Sequence, residues 1–210
     1  MMTNEVNTTQ AKFQRVREHC YNKWVKSPRY KEYIIELDDA DVALGQKIAK
    51  ERFNAHRELG KKNRTYGRPV MGREVLGCLG ELAVIRWLQG QNYDVSMKQF
   101  FDTTSELNHE DKFDTDIVYN GENFSVEVKS TEKPMKSNLI IPKDQAENNA
   151  ADVYVLVCQI DDKRYCIKGF TTHDTVLENY NPKMKKGAYT VDEKNLIIDI
   201  KDILDTNKGE

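Results

Sequence analysis

Cysteine is scarce in this chain. Cys20, Cys78, Cys158 and Cys166 are the only four in 210 residues, and none sits in C-x-x-C spacing. A disulfide scaffold is therefore not expected, and a reduced, cytoplasmic setting is. Cys78 and Cys158 lie in apolar patterns and read as small core residues. The four histidines, His19, His56, His109 and His173, share no ligand spacing with one another or with the cysteines, so no zinc centre is expected. His109 reads as a loop residue. No run of about 18 apolar residues occurs, so no membrane span is expected. The first 20 residues lack an apolar core, so no signal peptide is expected either. Neither charge sign dominates: 32 Lys and Arg stand against 34 Asp and Glu, a net charge of −2. The whole molecule is thus no cationic sponge for nucleic acid. Repeats and low-complexity linkers are missing too.

What remains suits a soluble globular protein, with 39% hydrophobic and 31% charged residues. The length allows one sizeable core with a helical appendage. Charge is unevenly spread. From Lys47 to Arg73 the cations are Lys47, Lys50, Arg52, Arg57, Lys61, Lys62, Arg64, Arg68 and Arg73, against Glu51 and Glu58 alone. The segment Gly60 to Pro69 reads as a basic loop. Lys61, Lys62, Arg64, Arg68 and the neighbouring Arg73 suit phosphate contacts, with Tyr66 available for stacking. The plainer reading is a solvated face.

Residues 1–70 read as a helical extension. Phe13, Val16, His19, Cys20, Trp24 and Val25 recur at helical spacing, after an unstructured segment over 1–8. A second helix is expected from about Asp41 to Leu59, with a stripe of Ala43, Leu44, Ile48, Ala49 and Phe53 and an N-cap at Asp39 or Asp41. From Gly72 to Gly90 a broad stripe (Val75, Leu76, Leu79, Leu82, Ala83, Ile85, Trp87, Leu88) predicts a third helix. Gly77 and Gly80 interrupt it at about 1 kcal/mol each against alanine, which implies close packing on a sheet. Glu81 is embedded in that stripe, where a carboxylate needs a partner. It is either part of a site or a stripe-edge residue paired with Arg73, Lys98 or another cation.

Residues 113–131 carry the chemistry. Two alternating runs flank Asn120-Gly121, a hairpin signal. Glu127 and Lys129 share one strand face, and Val126 and Val128 share the other. A four-residue loop, Asn120 to Asn123, would set Asp116 opposite Glu127. A two-residue Asn-Gly turn would instead set Asp114 there. Asp116 is preferred, because Ile117 and Val118 follow it. Either way two carboxylates and one ammonium meet. A hard divalent cation takes such oxygen ligands, and the lysine can stabilise charge on a phosphate. Downstream, Pro142 opens a short helix over Lys143–Asp152. Buried strands follow at Val153–Ile160 and Arg164–Phe170. The tail reads as a short helix (Asp174 to Tyr180) and strands near Ala188–Val191 and Leu196–Ile200.

Asp116, then Glu127-x-Lys129, with ten residues between the acids, together with Gly-x-x-Gly-Glu81-x-Ala upstream, resembles the PD-(D/E)XK nuclease superfamily. The likeness covers roughly Gly72 to Phe170. Thr115 stands where the family usually has a proline. The tail is loosely similar to small phage-encoded and mobile-element members. The resemblance implies an α/β fold with an α-β-β-β-α-β core in residues 71–210 behind the N-terminal extension. It implies Mg²⁺, with Mn²⁺ as substitute, held by Asp116, Glu127 and the Val128 carbonyl, and by Glu81 directly or through water. It implies DNA as the partner, hydrolysed at its phosphodiester bonds, and is compatible with a homodimer. Gln145 matches the polar start of the family's second helix; as a bare residue it reads equally as solvated. Ser130 and Thr131 could touch the scissile backbone. Two rival readings keep the fold without catalysis: a nucleic-acid-binding or interaction module, and a purely structural α+β protein.

Overall fold

The longest apolar run of the chain, Val153–Cys158, lies at the centre of one sheet. The structure, a computed structural model, describes residues 3–60, 70–102, 113–135, 138–184 and 187–206. In chain order its main elements are α1 (Thr3–Trp24), β1 (Ile34–Glu36), α2 (Asp39–Gly60), α3 (Met71–Gly90), β2 (Asp94–Ser96), α4 (Lys98–Phe101), β3 (Thr115–Tyr119), β4 (Glu122–Thr131), β5 (Asn138–Pro142), α5 (Lys143–Asn148), β6 (Val153–Gln159), β7 (Arg164–Thr172), α6 (His173–Leu177), β8 (Tyr180–Asn181), β9 (Ala188–Asp192) and α7 (Lys201–Leu204). Six strands form a mixed sheet in the order β1-β7-β6-β4-β3-β2. Only β4 and β6 run parallel. A parallel pair needs a crossover, and this one carries β5 and α5. It brings a three-stranded sheet, β5-β9-β8, over one face of the first. The architecture is therefore α+β around a mixed sheet.

Both faces of β6 are covered, which is why its run is apolar throughout. Val153, Val155 and Val157 share a core with Val126 and Val128 of β4 and with Leu79, Leu82 and Ala83 of α3. Tyr154 and Leu156 turn the other way, into a core with Leu139, Ile141 and Val191 of the smaller sheet. Since Glu127 pairs with Tyr154 and Lys129 with Leu156, these two charged residues leave the sheet on the face away from α3.

Two glycines set how closely the helices approach. A Cβ on Gly80 would lie 2.0 Å from the Ser130 Oγ, so α3 sits directly on β4 there. The expected close packing on a sheet occurs at Gly80 and not at Gly77, where the nearest atom would be Glu81 Oε1 at 3.9 Å. A Cβ on Gly45 would lie 2.4 Å from Leu79 Cδ2, so α2 packs tightly on the other side of α3.

Several expectations need correction. Helix α1 begins at Thr3, so Thr3–Thr8 are helical rather than unstructured. Of its expected stripe, Cys20 and Trp24 are buried, against Cys158, Ile160 and Cys166. Phe13 (56%), Val16 and Val25 stay exposed, because the first half of the helix overhangs the sheet. The cap of α2 is neither Asp39 nor Asp41 but Asp38, whose Oδ1 accepts from the Asp41 N–H at 2.8 Å. Helix α5 is shorter than expected, and α6 starts one residue early. No strand forms over 196–200; Ile197 makes one bridge to Phe170. Leu196, Ile200, Ile203 and Leu204 are buried instead, at helical spacing. Strand β1 comes from the N-terminal 70 residues, where no strand was anticipated. Among the described residues no helix is long and apolar enough to cross a membrane.

Candidate active site at the end of the hairpin

The hairpin turn decides which acid meets Glu127. Asn120 and Gly121 both have positive φ, 53° and 86°. That is the two-residue turn an Asn-Gly pair favours, because its backbone twist matches that of the strands. Tyr119 accordingly pairs with Glu122, Asp116 with Ser125 and Thr115 with Val126. The four-residue loop and its Asp116–Glu127 pairing do not form. One position further out, the register brings Asp114 to Glu127, and the regular ladder ends. Asp114 donates its N–H to the Val126 carbonyl at 3.1 Å. Its carboxylate accepts the Val128 N–H at 2.6 Å. Asp116 is held elsewhere, accepting from Nε2 of Gln99 on α4.

Around Asp114 stand two ion pairs. Lys129 Nζ donates to Glu127 Oε1. Arg52, from α2, reaches Glu81 Oε2 at 2.6 Å and the Phe100 carbonyl at 3.1 Å. Glu81 is 7% exposed and Glu127 6%. Their electrostatics are coupled. Burial, then Glu127, then Glu81 push the Asp114 carboxyl well above its usual 3.8; Lys129 and the Val128 N–H oppose this. Burial works against the Lys129 charge, yet Glu127, Asp114 and Glu81 together hold its proton more tightly than usual. Burial likewise opposes charge on Arg52, and Glu81 heads the groups that overcome it. The Cys78 thiol is pushed up to about 12 by burial and then by Glu81, so it is no nucleophile at neutral pH.

Three carboxylates and two cations thus influence one another electrostatically around Asp114. The oxygen donors among them suit a hard divalent ion in kind. As they stand, no three His, Cys, Asp or Glu side chains among the described residues are arranged to hold one. Glu81 and Glu127 are turned to Arg52 and Lys129. In donor chemistry the carboxylates of Asp114, Glu127 and Glu81 suit Mg²⁺, but in this arrangement two of the three are held in ion pairs.

Asp114 also makes stability depend on pH. Its carboxyl keeps a proton in the native state that the unfolded chain releases near pH 3.8. Over that interval the native state binds more protons, so stability falls as pH rises. Asp114→Asn removes the titration while keeping an acceptor for Val128. In EDTA the variant should melt higher than wild type at pH 7–8, and at the same temperature at or below about pH 3.5. Calorimetric melts across that range check this. A variant less stable than wild type at pH 8 would mean that the Val128 contact outweighs the crowding of carboxylates.

The remaining expected site residues are spread out. Val128 is buried, with its N–H turned to Asp114. Ser130 faces α3: its Oγ is buried opposite Gly80 without a hydrogen-bond partner among the described residues. Gln145 is half-buried in α5, and Arg73 is exposed in the first turn of α3. Lys61, Lys62, Arg64, Tyr66, Arg68 and His109 lie outside the described residues. Arg52 had been read only as part of the basic run. Its position four and three residues beyond the buried Ile48 and Ala49 marks it as inward-facing. Gln99 carried no readable signal. No protein-family model, curated protein or solved structure matches the chain.

Proposed function

We propose that this protein is a metal-dependent nuclease that hydrolyses phosphodiester bonds in DNA, with Asp114 in the role that the sequence alone gave to Asp116. One observation supports this above all: the tight turn sets Asp114 one residue beyond the Thr115–Val126 pair, where its carboxylate accepts the N–H of Val128, the residue between Glu127 and Lys129. Crowded, buried carboxylates next to a lysine are costly for stability alone and useful for phosphoryl chemistry. Asp114, Glu127 and the Val128 carbonyl would hold Mg²⁺, with Glu81 directly or through water and Mn²⁺ as a substitute. Bound there, the ion supplies an activated water and a Lewis acid for the phosphoryl oxygen. Glu127 would have to leave Lys129 to hold the ion, and Lys129 is the cation that would stabilise the charge that builds up on the phosphate during in-line attack. Arg52 holds the Glu81 carboxylate in an ion pair.

A second reading draws on the same ion pairs. Glu81 and Glu127 are neutralised internally, which also suits a nucleic-acid-binding module without catalysis. One assay separates the two: supercoiled, linear, single-stranded and branched DNA, and RNA, incubated with Mg²⁺ or Mn²⁺ against EDTA. Cleavage that EDTA abolishes is expected. Binding without cleavage under any metal would favour the second reading, and neither binding nor cleavage would sink both.

A further inference from the structure

The N-terminal helix carries a charge pattern that the candidate site does not use. Residues 11–26 hold five cations, Lys12, Arg15, Arg17, Lys23 and Lys26, against the single acid Glu18, in a chain whose net charge is −2. Glu18 is already paired with Arg164 at 2.8 Å. Arg17 is the one cation directed at the body of the protein, and it holds Glu132 at 2.8 Å. Among the described residues Lys12, Arg15 and Lys133 make no ion pair, and all three are exposed or border the cleft described next. The surplus of this region is therefore positive and open to solvent.

Its placement gives the surplus a use. Cys20 and Trp24 seat the second half of α1 on Cys158, and Cys158 pairs with Thr131, the last residue of β4. Thr131 lies two residues beyond Lys129, about 7 Å along the strand. The first half of α1 overhangs that strand end. Beneath it opens a cleft of about 560 Å³ lined by Ala11, Phe13, Gln14, Arg17, Glu132 and Lys133. Phe13 is 56% exposed at this cleft, where nothing in the fold needs an aromatic side chain. Lys12 lies about a quarter-turn round the helix from it, beside the cleft rather than behind it.

We propose that this cleft binds a single-stranded segment of DNA leading away from Lys129, with phosphates on Lys12, Arg15 and Lys133 and an unpaired base stacked on Phe13. The inference rests on the nuclease reading and deepens it by naming a substrate feature. A cationic groove with a stacking aromatic is the physical signature of single-strand binding. Charge complementarity selects a polyanion, and the aromatic selects unpaired bases over a duplex backbone.

Fluorescence anisotropy with labelled dT20 and with a 20-base-pair duplex, in EDTA and over a salt series, tests it. The combined Lys12→Glu, Arg15→Glu, Lys133→Glu variant should lose about 2 from the log–log salt slope for dT20, roughly 0.7 per phosphate contact. Phe13→Ala should weaken dT20 binding by roughly 5-fold or more and leave duplex binding unchanged. Neutral Gln replacements at the three cationic positions remove the same three contacts and should lose a similar amount of slope, about 2; they replace the reversals should those unfold α1. Wild-type-like slope and affinity in all these variants would overturn the inference. Cleavage measured alongside separates the failures. Metal-dependent cutting that ignores the α1 variants removes only this cleft, whereas absence of both binding and cutting removes the nuclease reading as well.

Discussion

Asp114→Ala should abolish metal-dependent cleavage of DNA, and Asp116→Ala should leave most of it. The two acids stand two positions apart, Asp116 within β3 and Asp114 just before it. Asp114 meets Glu127 and feels Glu81; Asp116 pairs with Ser125 and accepts from Gln99. Removing a direct ligand should cost more than the roughly 10–100-fold typical of an outer-shell partner. Loss of the Asp116–Gln99 contact should cost a few-fold at most, through the positions of α4 and β2. Single-turnover cleavage at saturating Mg²⁺ reads both. The reverse pattern, an inactive Asp116 variant beside an active Asp114 variant, would mean that the working enzyme uses the four-residue loop.

Lys129→Ala should slow the chemical step by roughly 100-fold or more, the scale of removing one preorganised charge stabiliser. Metal affinity should not fall. The ammonium occupies Glu127, so under the proposed mechanism its removal should leave Mg²⁺ binding equal or tighter. Lys129→Arg should restore only part of the rate, because a planar guanidinium cannot reproduce a compact point charge at the same distance. Calorimetric Mg²⁺ titration together with single-turnover rates distinguishes this from simple loss of metal. A Lys129→Ala protein that cuts at the wild-type rate would take the lysine out of the mechanism.

Much of the scaffold around this site is legible in the residues, and the gaps have physical causes. The glycine interruptions of α3 announced a close approach, and Gly80 against Ser130 is that approach. The unbroken apolar run of β6 states its burial outright, whereas the alternation of β4 gives no sign that Glu127 is buried along with Val126 and Val128. The register was legible too, in the Asn-Gly pair itself, since that pair supplies both positive φ angles of the tightest turn. The apolar Ile117 and Val118, which favoured Asp116, carry no information about loop length. Long-range partners are a different matter. The Arg52–Glu81 pair depends on how α2 docks across Gly45 and Leu79, which no local pattern encodes. Periodicity marked the apolar residues of α1 but not where the partner surface ends, so nothing in it separates the exposed Phe13 and Val16 from the buried Cys20 and Trp24. Strand β1 spans only three residues, too few to show a period.

The central claim places a divalent ion between Asp114 and Glu127. Crystals of the protein grown with Mn²⁺ would locate that ion by anomalous scattering. The account predicts a peak about 2.1 Å from a carboxylate oxygen of each residue and close to the Val128 carbonyl, with Lys129 released from Glu127. A peak on Asp116 instead, or none while Lys129 still holds Glu127 at millimolar Mn²⁺, would contradict it.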